Sequence, residues 1–208
     1  MNNHLVIVYE IFTSTFLLTS AFYCICDFFC PQLRYESKAT FLILKHEYKR
    51  IAKLVLFNLF VNFPLLLLIA NSYIRFDDEC NISYWVCIDL VIFYIIFELC
   101  FRTMHRLMHW IWLFKHIHFK HHSLQQDCIA FGALYCHPIE FVFGNFLPAS
   151  LPILIHRQPN PLSVYIWVII VAFHLSSSHS GYCFFEGPKH LLHHRTKSMH
   201  FGTSNFLE

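Results

Sequence analysis

Charge is scarce in this chain. Of its 208 residues only 13% are Asp, Glu, Lys or Arg, against about 25% in ordinary globular proteins. The deficit is concentrated in long charge-poor runs, which argues against a water-soluble core and for a membrane protein. Glycine is scarce too. The five glycines (Gly132, Gly144, Gly181, Gly187 and Gly202) form no Gly-x-Gly-x-x-Gly loop, so a dinucleotide-binding turn is excluded. Nine cysteines are scattered without one Cys-x-x-Cys pair, which removes a Cys-x-x-Cys-His haem site and argues against a zinc ribbon or a disulfide framework. Several lie in apolar runs, where a thiol packs as a small hydrophobe. No His-Glu-x-x-His is present, which weakens a membrane zinc hydrolase. A net charge of +2 without a basic stripe leaves no nucleic-acid partner expected. The opening MNNHLVIVYE lacks the basic leader of a secretory signal and reads as the start of a retained helix.

Length fits one ordinary domain. Against the ~20 residues that span a bilayer as a helix, five apolar segments stand out, at roughly 5–26, 54–74, 83–101, 139–155 and 162–176. The last two are short, and the fourth holds Pro148 and Pro152, so they read as a kinked hairpin that stops short of full crossing. The polar stretch 27–53 reads as a linker or surface helix. Basic residues alternate loop by loop. The first loop carries Arg34, Lys38, Lys45, Lys49, Arg50 and Lys53, and the second has Arg75 against Asp77, Asp78 and Glu79. The third has Arg102, Arg106, Lys115 and Lys120, the fourth Arg157, and the tail Lys189, Arg195 and Lys197. The positive-inside rule then puts loops one and three and the tail in the cytosol.

Histidine is abundant: 16 in all, with 14 between residues 105 and 200. His105 and His109 stand at i and i+4, on one helix face. His118 and His121, at i and i+3, share a face likewise, with His122 beside them to reach a second metal. His190, His193 and His194 repeat the same His-x-x-His-His pattern. The chain enters and leaves the membrane once between the second and third groups, so all three reach the cytosolic face. Eight imidazoles exceed the needs of one four-coordinate ion, and a two-metal centre fits better. His179 is a further candidate ligand. His137, with Glu140, is expected beside the ligands rather than on the metal. His4, His46, His116, His156 and His174 show no paired spacing and are read as structural.

In order along the chain, HRLMH, HIHFKHH, CHPIEFVFGN, SHSGY and HLLHH resemble the fatty acid hydroxylase / sterol desaturase superfamily, nearest to the 4-methyl sterol oxidase and cholesterol 25-hydroxylase branches. The resemblance covers roughly residues 90–206. It implies a membrane di-iron oxygenase with ligands His105, His109, His118, His121, His122, His179, His190, His193 and His194. It also puts Glu98 where the family has an acidic residue near the metals. Two iron ions, dioxygen, a sterol or fatty acyl lipid, and a b-type cytochrome with its NAD(P)H reductase at the endoplasmic reticulum are further implications. The chain departs from the family at Arg102 (usually Tyr), Leu191 (usually Asp) and His200 (usually Asn). The stretch between Tyr182 and His190 is short, and the C-terminus reads as truncated.

The expectation is therefore an all-α, polytopic membrane bundle with a cytosolic, histidine-rich di-metal cap. N-terminal transmembrane helices and a linker fill 1–82, and a catalytic domain fills 83–208. The rival expectation is a metal-binding membrane protein, a transporter or a catalytically degenerate hydroxylase, without oxygenase activity.

Overall fold

The computed structural model describes residues 3–35, 39–76, 80–124, 128–156, 158–185, 188–197 and 199–203. Lys38, Asp77, Asp78, Glu79, Arg157 and Gly187, all used above, lie outside these. In α1 (Asn3–Phe29) the buried residues Leu5, Val8, Phe12, Phe16, Thr19, Tyr23 and Asp27 recur every three or four positions, giving one inward stripe. In α2 (Phe41–Ala70), Ile51, Val55, Leu59, Phe63 and Leu67 recur every fourth position. The stripe of α3 (Tyr84–Met108) runs Val86, Asp89, Phe93 and Phe97, and ends at His105 and Met108. A short helical stretch, α4 (residues 111–122), precedes α5 (Pro138–His156), α6 (Pro161–Ser178) and α7 (Lys189–Thr196). No strand occurs among the described residues.

Burial is inverted relative to a water-soluble protein. Asp27 and Asn58 are wholly buried, while mid-helix Leu18, Leu65 and Val91 are 72%, 54% and 59% exposed. Apolar surface of that extent needs a lipid environment, and buried polar groups need partners inside the bundle. α1, α2, α3, α5 and α6 are each long and apolar enough to cross a membrane. The fourth and fifth segments, expected to fall short, reach 19 and 18 residues. Their helices extend past the apolar run into Pro138, Pro161 and the serines at 176–178, which composition alone does not count. The stretch 27–53, read as a linker or surface helix, is helical from Phe41, where α2 begins.

Two helix starts are fixed locally. Asn160 accepts from the Leu162 N–H at 2.9 Å ahead of Pro161, and His137 accepts from the Ile139 N–H at 3.2 Å ahead of Pro138. Proline at the first helical position loses no hydrogen bond. α2 widens into a π turn over Asn58–Asn62. There the Asn58 amide donates to the Leu134 and Cys136 carbonyls at 2.9 and 3.0 Å, and Asn62 donates to the Pro138 carbonyl at 3.3 Å. Polar side chains facing a membrane bundle's interior thus fasten the 130–138 segment to α2.

α1 packs along α6, and α3 along α5. At one end of the bundle Arg34, 0% exposed in its side chain, is paired with Asp27 at 2.5 Å. The same guanidinium donates to the Ser180 carbonyl at 3.1 Å and to the Cys128 carbonyl, while Tyr48 donates to Asp27 at 2.9 Å. One cation therefore gathers the first loop, the third loop and the tail. The far end is tied separately: Ser163 and His156 donate to Asp89 at 2.6 and 3.1 Å, and Asn160 donates to the Asn81 carbonyl. Cys80 and Cys183 are exposed thiols at these opposite ends. Single-cysteine variants retaining one or the other are expected to react with a membrane-impermeant maleimide from opposite sides of sealed vesicles. Labelling of both from one side contradicts the five-span arrangement.

Candidate metal centre

The last turn and C-cap of α3, the helical stretch α4, the C-cap of α6 and the helix α7 bring nine imidazoles together. His105, His109, His118, His122 and His193 form one group, and His121, His179, His190 and His194 the other. Within each group the candidate ligand nitrogens all lie within 4.8 Å of one another. Every predicted ligand falls in one of the two. The groups adjoin, with the His122 and His194 rings 4.5 Å apart between centroids.

The partition differs from the expected one in α4. His118 and His122, at i and i+4, share a group, and it is His121 that turns to the other. α7 mirrors this: His190 and His194 stay together while His193 crosses over. Residues four apart on a helix are offset by about 40°, those three apart by about 60° in the other sense. Each His-x-x-His-His motif thus gives two rings to one group and one ring to its neighbour, which interlocks the groups.

Backbone and carboxylate acceptors set the rings. An oxygen acceptor requires the facing ring nitrogen to carry the proton. His118 Nδ1 donates to Glu140 Oε1 at 2.6 Å, His193 Nδ1 to the Met199 carbonyl at 2.6 Å, His105 Nδ1 to the Phe201 carbonyl at 3.0 Å and His179 Nδ1 to the Leu175 carbonyl at 2.9 Å. In a neutral ring the other nitrogen, Nε2, is then a bare lone pair aimed into the cluster. Nε2 atoms stand 3.0 Å apart between His109 and His193, 3.1 Å between His118 and His109, and 3.0 Å between His122 and His118. In the second group the separations are 3.1 Å for His179–His121, 2.9 Å for His190–His179 and 3.2 Å for His194–His190. Nitrogen ligands about 2.0–2.1 Å from one ion and at right angles to each other stand about 3 Å apart. The buried His105 Nε2 has no hydrogen-bond partner among the described residues. Converging lone pairs and an orphaned ligand atom fit a pair of divalent cations of the borderline kind that imidazole prefers.

Electrostatics agree. Burial, before any effect of neighbours, holds His109, His179 and His193 down to about 4. Burial followed by repulsion from adjacent rings keeps His118, His121, His122, His190 and His194 well below their ordinary range. All eight are neutral, ligand-ready bases at pH 7.

The supporting residues are less alike. Glu140 meets His118 directly. Glu98 accepts from the Thr203 N–H and hydroxyl, so it acts on the loop whose Phe201 carbonyl orients His105. His137 caps α5. Among the histidines read as structural, His4 bonds Tyr165 at 2.6 Å, His156 bonds Asp89 and His116 bonds the Trp112 carbonyl. His174 lines a cavity that meets the second group. Leu191, where an Asp was expected from the resemblance, packs into the hydrophobic core. His200 has a left-handed φ of 60°, a region that Asn and His enter more readily than most residues. Sequence reasoning missed the Arg34–Asp27 clamp. It reaches the carbonyl of Ser180, next to His179, and explains Gly181: a Cβ there would lie 2.4 Å from the guanidinium, and its φ is +84°. The available signal was an acidic residue closing an apolar helix seven positions before an arginine.

Two predictions follow from the geometry. His109, His179 and His193 bind protons near 6.5 in the unfolded chain and only near 4 in the folded one, so the unfolded state takes up more protons between those values. Chelator-stripped protein is therefore expected to keep its full stability above about pH 6.5 and to lose it steadily toward pH 4, read as the melting midpoint in detergent. A flat midpoint across that window contradicts the neutral cluster. Glu140→Gln is expected to weaken metal retention roughly 10–100-fold against a competing chelator while the protein stays folded.

A family profile described as fatty acid hydroxylase matches residues 90–207. Curated relatives include a very-long-chain aldehyde decarbonylase of Oryza sativa subsp. indica, 27% identical over 71% of this chain and 56% of that protein. Fatty acid hydroxylase domain-containing protein 2 of Macaca fascicularis is 32% identical over 74% of this chain and 48% of its own length. Methylsterol monooxygenase 2-1 of Arabidopsis thaliana is 28% identical over 69% and 53%. The chain spans about half the length of the curated relatives it matches. No solved structure matches it. With more than half of its length matched and its histidines gathered on the matched part, the chain belongs to the fatty acid hydroxylase family.

Proposed function

We propose that this protein is a membrane non-haem di-iron monooxygenase that oxidises a sterol or fatty acyl lipid. The observation that carries the reading is a shared wall. His179 and His190, of the four-histidine group, also line an apolar cavity of about 500 Å³ between the membrane helices. A lipid in that cavity has one end against the imidazole cluster, which is the placement an oxidase of unactivated C–H bonds needs.

His105, His109, His118, His122 and His193 would hold one iron, and His121, His179, His190 and His194 the other. When bound, the pair supplies the dioxygen activation that no side chain provides. The chain's own work is positional. Glu140 and the carbonyls of residues 175, 199 and 201 keep the rings in one tautomer. The bundle walls exclude water and orient the lipid. Residues 83–208 carry the ligands in this reading, while 1–82 contribute cavity wall and the Arg34 clamp. Hydroxylation consumes dioxygen, two external electrons and two protons, puts one oxygen atom into the C–H bond and releases the other as water, so a reductant is required. A b-type cytochrome with its NAD(P)H reductase, at the endoplasmic reticulum, is the proposed donor, with the cluster facing the cytosol as the alternating loop charges favour. The names of the matched relatives support a lipid substrate.

One observation favours a second reading, a catalytically degenerate homologue: Leu191 supplies a methyl-bearing side chain where the resemblance calls for a carboxylate. Lipid profiling separates the two. Cells lacking the gene are expected to accumulate one lipid substrate and lose its oxidised product. Re-expression of wild type restores the product, and re-expression of His121→Ala leaves it below about one hundredth of the wild-type level. Unchanged lipids in the deletion, with metal still bound by the purified wild type, select the degenerate reading.

A further inference from the structure

Resting on the lipid-oxidase reading, the shape and polarity of the cavity narrow its ligand. α6 lines it from Val164 to Ser178, a run of about 21 Å at 1.5 Å per residue. The remote end is lined by Leu5, Ile74 and Phe76, all apolar. A cavity of about 500 Å³ over that length has the length and the apolar wall that an extended lipid needs.

The end at His179 and His190 differs. Lys189, the first residue of α7, is part of the wall there. Its Nζ is shut off from solvent and has no hydrogen-bond partner among the described residues. An ammonium so placed is costly unless an anion joins it. Other polar groups at this end are engaged: Ser178 donates to the Leu175 carbonyl at 3.1 Å, and Thr203 donates to Glu98. One compact point charge, with no arginine among the described lining residues, suits a carboxylate better than a phosphate dianion.

We propose that Lys189 anchors the carboxylate of an apolar lipid acid, which lies head-first in the cavity with its tail toward Leu5 and Phe76. The carbons nearest the carboxylate then face the four-histidine group. Neither the family match nor the relatives assign this residue a role. It lies in the tail that charge counting treats only as an orientation signal, and it precedes a ligand directly, so its backbone is held by the metal site.

The test uses the full-length, iron-loaded protein in nanodiscs, with palmitic acid, methyl palmitate and cholesterol as probes competing against a fluorescent fatty acid. Wild type is expected to bind the acid roughly tenfold or more tightly than the ester, the scale of one charge-assisted hydrogen bond. Lys189→Met is expected to bring the acid down to the ester's affinity while leaving the ester unchanged, and Lys189→Arg to keep most of the preference. Iron content is measured on each variant. If Lys189→Met does not fold or load iron, the acid-to-ester ratio of wild type and of Lys189→Arg decides. Equal binding of acid and ester by wild type, or a preference that survives in Lys189→Met, overturns the anchor and leaves the lipid-oxidase reading intact. Binding of none of the three lipids overturns both.

Discussion

Everything in this protein is arranged around neutral imidazoles whose lone pairs converge in a dry place. Where Nδ1 has given its proton to a fixed oxygen, as in His118 and His193, Nε2 is a lone pair, and lone pairs converging about 3 Å apart repel unless a neighbouring N–H or a cation lies between them. Burial keeps those rings from relieving the repulsion by protonation at neutral pH. In the proposed reading the folded chain is thereby a receptor for two cations. The energy of holding it together depends on supplying them, as in other sites where metal binding is coupled to folding.

The helical frame answers two demands at once. Its outside is apolar because it faces lipid, so its inside must carry every polar fastening. Asn58 tethers the 130–138 segment, Asp89 ties the far end, and the Arg34–Asp27 pair draws the three basic segments beneath the histidines. A buried ion pair is a weak source of stability. Here its more evident contribution is register, because Arg34 holds the carbonyl of Ser180 while His179 faces His121 and His190. Interlocking adds to this. Each His-x-x-His-His motif serves both groups, so α4 and α7 cannot move apart without opening both. The cavity then runs from this end into the bundle and shares a wall with the second histidine group at His179 and His190.

The local parts of this design are legible in the sequence. Three- and four-residue spacings belong to one helix, so His105 with His109 and both His-x-x-His-His motifs are visible without a structure. Counting membrane passages is enough to put them on one face. What the sequence hides is which ring turns to which ion. That depends on the crossing of α4 and α7, and His121 and His193 each go opposite to their nearest partners. Glu98 was readable as a buried acid near the centre, but its bond to Thr203 depends on a loop folding back through residues 199–203. Lys189 and Arg34 were both counted as loop charges. Nothing in their immediate neighbourhood distinguishes a buried, fixed cation from a solvated one. The helix starts at Phe41 and Pro138 were hidden for a related reason: polar turns continue a helix beyond the apolar run that betrays it.

The most direct measurement of the central claim is metal stoichiometry with Mössbauer spectroscopy on protein expressed with enriched iron and purified in mild detergent. The account predicts two iron ions per chain, in two nitrogen-rich environments, falling together when either His121 or His193 is replaced by alanine because each motif serves both groups. A single ion per chain, or two ions that persist after both substitutions, would contradict it.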